Sequence, residues 1–366
     1  MGKREIPSSV KRGYLDALLF NIGAIIIGLL ISAMMILFLK QSPITVFSTA
    51  LGRIFSDKYT LGEVLVKATP LVFTSLAFAF TYKANLFNIG AQGQFYAGCI
   101  SAVSISLALG GKVPTALLIV IVLVASFLSG ALVGALIGIA KAKFGANEFL
   151  VSMMSTYVVQ AVMDFLLRTV LRETKAEYIQ TDPIVREAFL PGIVPGTRIH
   201  LGTLIAILSA IAIWVLLYKT SLGFRIRAVG RNSDASEHSG INSKLIFVVA
   251  FLISGGLAGM AGLTEINGVQ HMLLQNFNSS IGSFGIGIAI LANGHPIGII
   301  FSSILFGFLN VIGTTMGRIP GLNIPASIID LIQGIVMTSV IISYFIRESV
   351  GRRREKRMLK SGEVEA

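Results

Sequence analysis

The sequence predicts an all-α polytopic transmembrane bundle of about ten spans with both termini inside. Hydrophobic residues make up 54% of the 366 and charged ones only 13%, with a mean hydropathy of +0.80, too little polar surface to cover a water-soluble globule. Apolar stretches of roughly 20 residues, the length a helix needs to cross hydrocarbon, recur along the chain. They lack the alternation and the shorter repeat of barrel strands.

Residues 1–16 read as a cytoplasmic segment, 17–346 as the transmembrane domain and 347–366 as a basic cytoplasmic tail. Spans fall near 17–39, 61–82, 89–109, 113–140, 148–167, 201–218, 245–264, 280–293, 297–316 and 326–346. The first follows basic residues as a signal peptide would, but it lacks a small-x-small cleavage site and is expected to stay as a span. Pro70 interrupts the second, and glycine is dense in the third and eighth, features tolerated where neighbouring helices or a cavity satisfy the backbone. The single cysteine, Cys99, rules out a disulfide within the chain and reads as packing.

Orientation follows from the basic residues. With the N-terminus inside, 19 of the 30 Lys and Arg lie in inside segments, which the positive-inside rule favours. The formal charge of +12 is then a cytoplasmic face beside anionic lipid, not a nucleic-acid footprint. Two loops stand out. The outside loop 168–200 has mixed charge and three prolines and is too long for a tight connection. The inside loop 219–244 contains "SDASEHSGI", read as a short helix capped by Ser233 or Asp234 and stopped by Gly240.

Catalytic signatures are missing. No G-x-x-x-x-G-K-[ST] occurs, so the chain carries no P-loop. The four histidines, His200, His238, His271 and His295, are scattered, with neither a paired helical metal motif nor a local Ser/His/Asp set. Glu63, Glu148, Asp164, Glu265 and Asp330 lie in or beside spans, either as interfacial groups or as a relay.

The polar anomalies are more informative. "ANLFNIGAQGQFYAG" (84–98) sets Asn88, Gln92 and Gln94 among Gly90, Gly93 and Gly98. Two readings stay open: uncharged contacts for a polar solute, or small residues and carboxamides joining helices. "GANEFLVSMMSTY" puts Asn147 and Glu148 at a helix start, where they cap, with Ser152 one turn further in. "GIGIAILANGHPIGIIFSSILFGFLN" has low side-chain bulk around Gly285, then a tight turn at Asn293.

These motifs, with "AVGRNSDASEHSGI", "FLISGGLAGMAGLTEINGVQ" and "IIDLIQGIVM", stand in the order and at about the distances of one family. The chain resembles the membrane permeases of bacterial ATP-binding cassette importers for branched-chain amino acids, simple sugars and nucleosides, over roughly residues 60–346. "FNIGAQGQ" is similar to the "FNIGAEGQ" of the nucleoside and simple-sugar branch. The resemblance implies a permease subunit that imports a nucleoside or related sugar-bearing solute, with a ribose- or galactose-type sugar as the alternative and an ion-coupled carrier as a third reading. It implies no cofactor in this chain, with ATP and Mg held by a separate cytoplasmic ATPase. Further implied partners are a second permease subunit, identical or homologous, an extracytoplasmic solute-binding lipoprotein docking on loops such as 168–200, and the bilayer of the bacterial cytoplasmic membrane. Ser233, Asp234, Ala235, Ser236, Glu237, His238, Ser239, Gly240 and Ile241 match the coupling helix that enters the ATPase. The solute path is expected at Asn88, Gln92, Gln94, Asn147, Ser152, Gly285 and Asn293. Three positions depart from the family pattern: Gln92 replaces a Glu, Gly285 an Asp and Thr156 an Asn.

Overall fold

A computed structural model describes residues 26–38, 40–277, 280–317 and 331–343, with Gly23, Phe345, Ile346 and Ser349. The segment 1–16, the start of the first expected span, Asp330 and nearly all of the basic tail 347–366 lie outside the described residues. The described chain is all-α. Its helices are α1 (Ile26–Phe38), α2 (Pro43–Ser56), α3 (Lys58–Tyr82), α4 (Ala91–Leu109), α5 (Thr115–Phe144) and α6 (Glu148–Arg168). They continue with α7 (Leu201–Lys219), α8 (Ser221–Arg231), α9 (Ser233–His238), α10 (Ser243–Glu265), α11 (Ile281–Leu291), α12 (Pro296–Met316) and α13 (Leu331–Ser343).

Six of these are long and apolar enough to cross a membrane: α3, α5, α6, α7, α10 with its π-helical continuation to Gln270, and α12. A seventh arises if α1 and α2, bent by 114° from each other, form one broken span. The expectation of about ten spans is corrected accordingly. The polar turn around Gln92 and Gln94 lowers the apolarity of α4 although it has 19 residues. The 11 residues of α11 rise about 16 Å, roughly half of a hydrocarbon core. No span had been expected at α2.

The chain forms two compact units, one of residues 1–52 and 312–366, the other of residues 53–311. In the first, α1 meets α13 backbone to backbone, since a Cβ on Gly28 would lie 2.8 Å from the Val336 Cα. In the second, α3, α4 and α10 form the interior: residues 68–81, 91–99 and 254–265 are buried without a break. Around them α5, α6 and α7 bury only part of their surface and turn large apolar side chains such as Leu128, Tyr157 and Leu208 outward, as helices facing lipid do. Pro70 does not break α3. A bond between the hydroxyls of Thr69 and Thr203, 2.8 Å, joins α3 to α7.

The interior closes on glycine. A methyl added at Gly130 would overlap the Gly255 carbonyl, one at Gly134 the Phe251 carbonyl, and one at Gly98 the Gly259 carbonyl. In a bilayer, helices gain no hydrophobic free energy by leaving lipid for each other, so close backbone approach carries the association. Gly130→Ala is therefore expected to destabilise the protein by about 1–3 kcal/mol through overpacking. Gly52→Ala, where nothing lies within 4 Å, is expected to stabilise α2 by up to about 1 kcal/mol. Thermal unfolding in detergent compares the two.

Candidate functional site

The polar stretch at 84–98 is a junction. Asn85 adopts φ 57°, turning the chain out of α3 and back towards α4. Asn88 and Gln94 exchange amide bonds, Asn88 Nδ2 donating to Gln94 Oε1 at 2.8 Å and Gln94 Nε2 to Asn88 Oδ1 at 3.2 Å. Asn88 Nδ2 also donates to Ser254 Oγ at 2.7 Å, and Ser254 donates to the Ala77 carbonyl at 2.6 Å. All three polar side chains are fully buried, where leaving a donor unpaired costs about 1–3 kcal/mol. Gln92 Oε1 accepts the Gly282 amide at 2.6 Å, which ties α4 to the start of α11. Ser152 Oγ accepts the Ile89 amide at 3.3 Å, and a Cβ on Gly90 would lie 2.7 Å from the Ser152 carbonyl. The structure thus brings Asn88, Gln92, Gln94 and Ser152 to one meeting point of α3, α4, α6, α10 and α11.

Gly285 lies against α3, where a Cβ would come within 2.7 Å of Thr74 Oγ1. Asn147 and Asn293 serve helix ends. Asn147 Oδ1 caps α6 by accepting from the Phe149 and Leu150 amides, and Glu148 pairs with Lys141 at 2.8 Å. Asn293, at φ 53°, makes the turn before α12, and its carbonyl accepts from Lys83 Nζ at 3.4 Å.

The loop 219–244 is ordered as two helices. Sequence reading missed α8, although its signals are present: Thr220 caps it, and Leu222, Ile226 and Val229 recur at helical spacing. Ile226 and Val229 are buried, and Gly230 packs so close to the Lys83 carbonyl that a Cβ would overlap it. Arg227 donates to the Leu217 carbonyl and lies 5.1 Å from the Tyr218 ring centre. Burial and the Arg227 charge lower the Lys83 pKa. The cap of α9 is Asn232, one residue before the expected Ser233, with its Oδ1 accepting from the Ala235 amide at 3.0 Å. Ser236 is buried and donates to the Asn232 carbonyl at 2.8 Å. Asp234, Ala235, Glu237, His238, Ser239 and Gly240 are exposed, Ser233 and Ile241 partly so. Gly240 stops the helix at φ +82°. Between α8 and α9 opens a groove of about 730 Å³ whose lining includes Phe224, Arg225, Arg231 and Ser239.

At the opposite end, 168–200 is tied down by backbone bonds. The Thr181, Ile184 and Leu190 amides donate to the Leu273, His271 and Asn267 carbonyls at 2.8–3.0 Å. Asn267 Nδ2 returns bonds to Ser106 Oγ and the Ala188 carbonyl, both at 2.8 Å. Arg198 pairs with Glu63 at 3.5 Å. His271 stacks on Phe189 at 3.6 Å. His200 is buried and caps α7, its Nδ1 accepting from the Gly202 amide at 3.2 Å. Burial, then the Arg198 and His271 charges, lower its pKa to about 4. Among the described residues no three His, Cys, Asp or Glu side chains group as a metal site.

A multi-pass helical bundle with an ordered, exposed helix at one end and tied loops at the other has the build of a membrane transport component. The family model described as "Branched-chain amino acid transport system / permease component" matches residues 60–341, and the chain belongs to that family. It is a permease component and not an enzyme, and a multi-pass protein of the inner membrane. The chain is 31% identical to a guanosine ABC transporter permease protein of Bacillus subtilis, over 95% of this chain and 99% of that one. It is 30% identical to a nucleoside ABC transporter permease protein of Lactococcus lactis, over 88% and 90%. A glucose ABC transporter permease protein of Haloferax volcanii is 29% identical over 87% and 86%.

The histidine cap generates a pH dependence. The folded pKa of His200, about 4, lies below the ordinary 6.5, so the neutral ring is favoured in the native state. Its contribution is complete above pH 6.5 and is lost as pH falls towards 4, by about 3 kcal/mol at most. His200→Asn keeps a capping acceptor and is expected to flatten the fall in thermal stability between pH 6.5 and 4. A wild-type and variant pair with parallel pH profiles would count against this.

Proposed function

We propose that this chain is the permease subunit of an ATP-binding cassette importer moving a nucleoside or related sugar-bearing solute into the cell. The glucose relative favours a simple sugar as the second reading. Support for the nucleoside reading comes from the names of two relatives that match nearly the whole chain. α9 is the observation that carries the coupling half of the proposal. It is exposed, capped at both ends and anchored to the bundle, as Ser243 Oγ donates to the Ser233 carbonyl at 3.2 Å. A helix of six residues is marginal in water on its own, and such investment in holding it out suits a protein partner.

In this reading residues 233–241 enter a separate ATPase that holds ATP and Mg, and a second permease subunit completes the path. A solute-binding lipoprotein rests on the 168–200 face. Both termini lie inside, and α4 and α11 sit at membrane depth although neither passes as a span. The meeting point of α3, α4, α6 and α11, with Gln92, Ser152 and Gly285, lies beside the path. Asn88 and Gln94 hold its wall in place, and Asn147 and Asn293 fix the ends of the helices that form it.

Two measurements test this. Cells lacking the gene are expected to lose uptake of radiolabelled nucleoside; unchanged nucleoside uptake with lost sugar uptake would move the assignment to the second reading. Gly240→Val places a β-branched residue at φ +82°, at a cost of roughly 1–3 kcal/mol. That substitution is expected to leave the subunit in the membrane while lowering transport per ATP hydrolysed at least tenfold. Transport at the wild-type ratio would defeat the coupling role of α9.

A further inference from the structure

The polar groups of the 84–98 junction largely bond one another, whereas α6 carries a carboxylate with bonding capacity to spare. Ser152, Thr156, Gln160 and Asp164 recur at intervals of four along α6, which places them in a stripe along one side, about 18 Å long. At its lower end the stripe packs on α4, a Cβ on Gly93 lying 2.7 Å from the Thr156 Cα. Ser155 and Thr156 donate back to the Ser152 carbonyl. At its upper end Asp164 Oδ1 is buried and has no hydrogen-bond partner. The cation one turn further on does not serve it, because Arg168 donates to Gln275 Oε1, at 3.5 Å. Tyr96 lies within electrostatic reach of Asp164, but its phenol is directed to the Phe277 carbonyl at 3.4 Å.

A carboxylate held in a span with a buried, unbonded oxygen costs several kcal/mol unless a donor reaches it. Its two oxygens accept in parallel from two adjacent donors. We propose that Asp164 is a solute-contacting, specificity-determining residue that accepts hydrogen bonds from two vicinal hydroxyls of the passing solute. This rests on the proposed function and narrows it, since a ribonucleoside or a simple sugar supplies such a pair and a 2′-deoxynucleoside does not. A passing solute gains from a contact of this kind, which is strong enough to select and confined to a single residue.

The test uses the complete transporter in cells, with uptake of a ribonucleoside and of its 2′-deoxy analogue measured side by side. The binding protein is the same in every strain, so its own preference cancels when the uptake ratio is compared between variants. The ratio is also independent of how much folded transporter each strain makes. Asp164→Asn is expected to lower the ribonucleoside-to-deoxy ratio roughly ten- to a hundredfold, the value of a hydrogen bond to a charged group. Asp164→Glu, which keeps a carboxylate, is expected to restore part of the ratio. An unchanged ratio in Asp164→Asn overturns the assignment of Asp164 alone. A wild-type transporter that moves neither nucleosides nor simple sugars overturns the proposed function, and this inference with it.

Discussion

The close approach of α10 to α4 and α5 is the constraint on which the rest of residues 53–311 depends. Gly255, Gly259 and Gly262 form the bare edge of α10, met by Gly130 and Gly134 on α5 and by Gly98 and Cys99 on α4. With no side chains between them, the backbones come into van der Waals contact, and many weak attractions do what the hydrophobic effect cannot do between helices in lipid. That approach also sets the polar contacts. Ser254 precedes Gly255 and thereby reaches both the Ala77 carbonyl and the Asn88 amide. Ser126 and Ser129 bond the Gly98 and Ala97 carbonyls across the same seam. A methyl on any of these glycines would overlap backbone atoms of the facing helix.

The sequence makes one half of this plain and hides the other. Long apolar helices, the cap at Asn147 and the stop at Gly240 were legible because each rests on local chemistry: hydrophobic length, a short polar side chain, freedom at positive φ. The burial of Asn88 and Gln94 was not, since a carboxamide paired across five intervening residues looks the same in sequence as one aimed at a solute. Ten apolar segments were counted where six or seven helices among the described residues pass as spans. Hydropathy averages over a window and blurs the 11-residue α11 into its flanks. α8 went unread because its charged residues, Arg225, Arg227 and Arg231, masked three apolar positions on its other side. The depth of His200 depends on Gly268, more than sixty residues away, and no local signal carries it.

The two ends of the bundle are built differently. The 168–200 end is laced by main-chain bonds to 267–275, which hold whatever the side chains are and give a surface of fixed shape. The α8–α9 end is laced by side chains and caps. Thr220, Asn232 and Asn242 each start one helix, so the segment consists of short rigid pieces with joints between them. A continuous line of contacts runs inward from there. α9 is joined to α8 through Asn232, α8 is pressed through Gly230 on Lys83, and the turn after Lys83 ends in Asn88. Two arrangements of such a line would be biased from either end, which is the physical content of coupling between distant sites.

The three departures from the family motifs fall on this same packed ground. Gly285 stands where an Asp is common, and its Cα faces Thr74 at a distance that leaves no room for a side chain. Thr156 stands where an Asn is usual and lies against Gly93. Gln92 replaces a Glu, yet its Oε1 accepts from the Gly282 amide at the start of α11 as a carboxylate oxygen would. The bond survives the exchange while the charge is lost. A carboxylate there would gain from the exposed amides of a helix start and would also bring a negative charge among buried helices, which needs an opposite charge or further donors. The neutral amide avoids that requirement. With an amide at Gln92 and no side chain at Gly285, the α3–α4–α11 contact carries no carboxylate at either position.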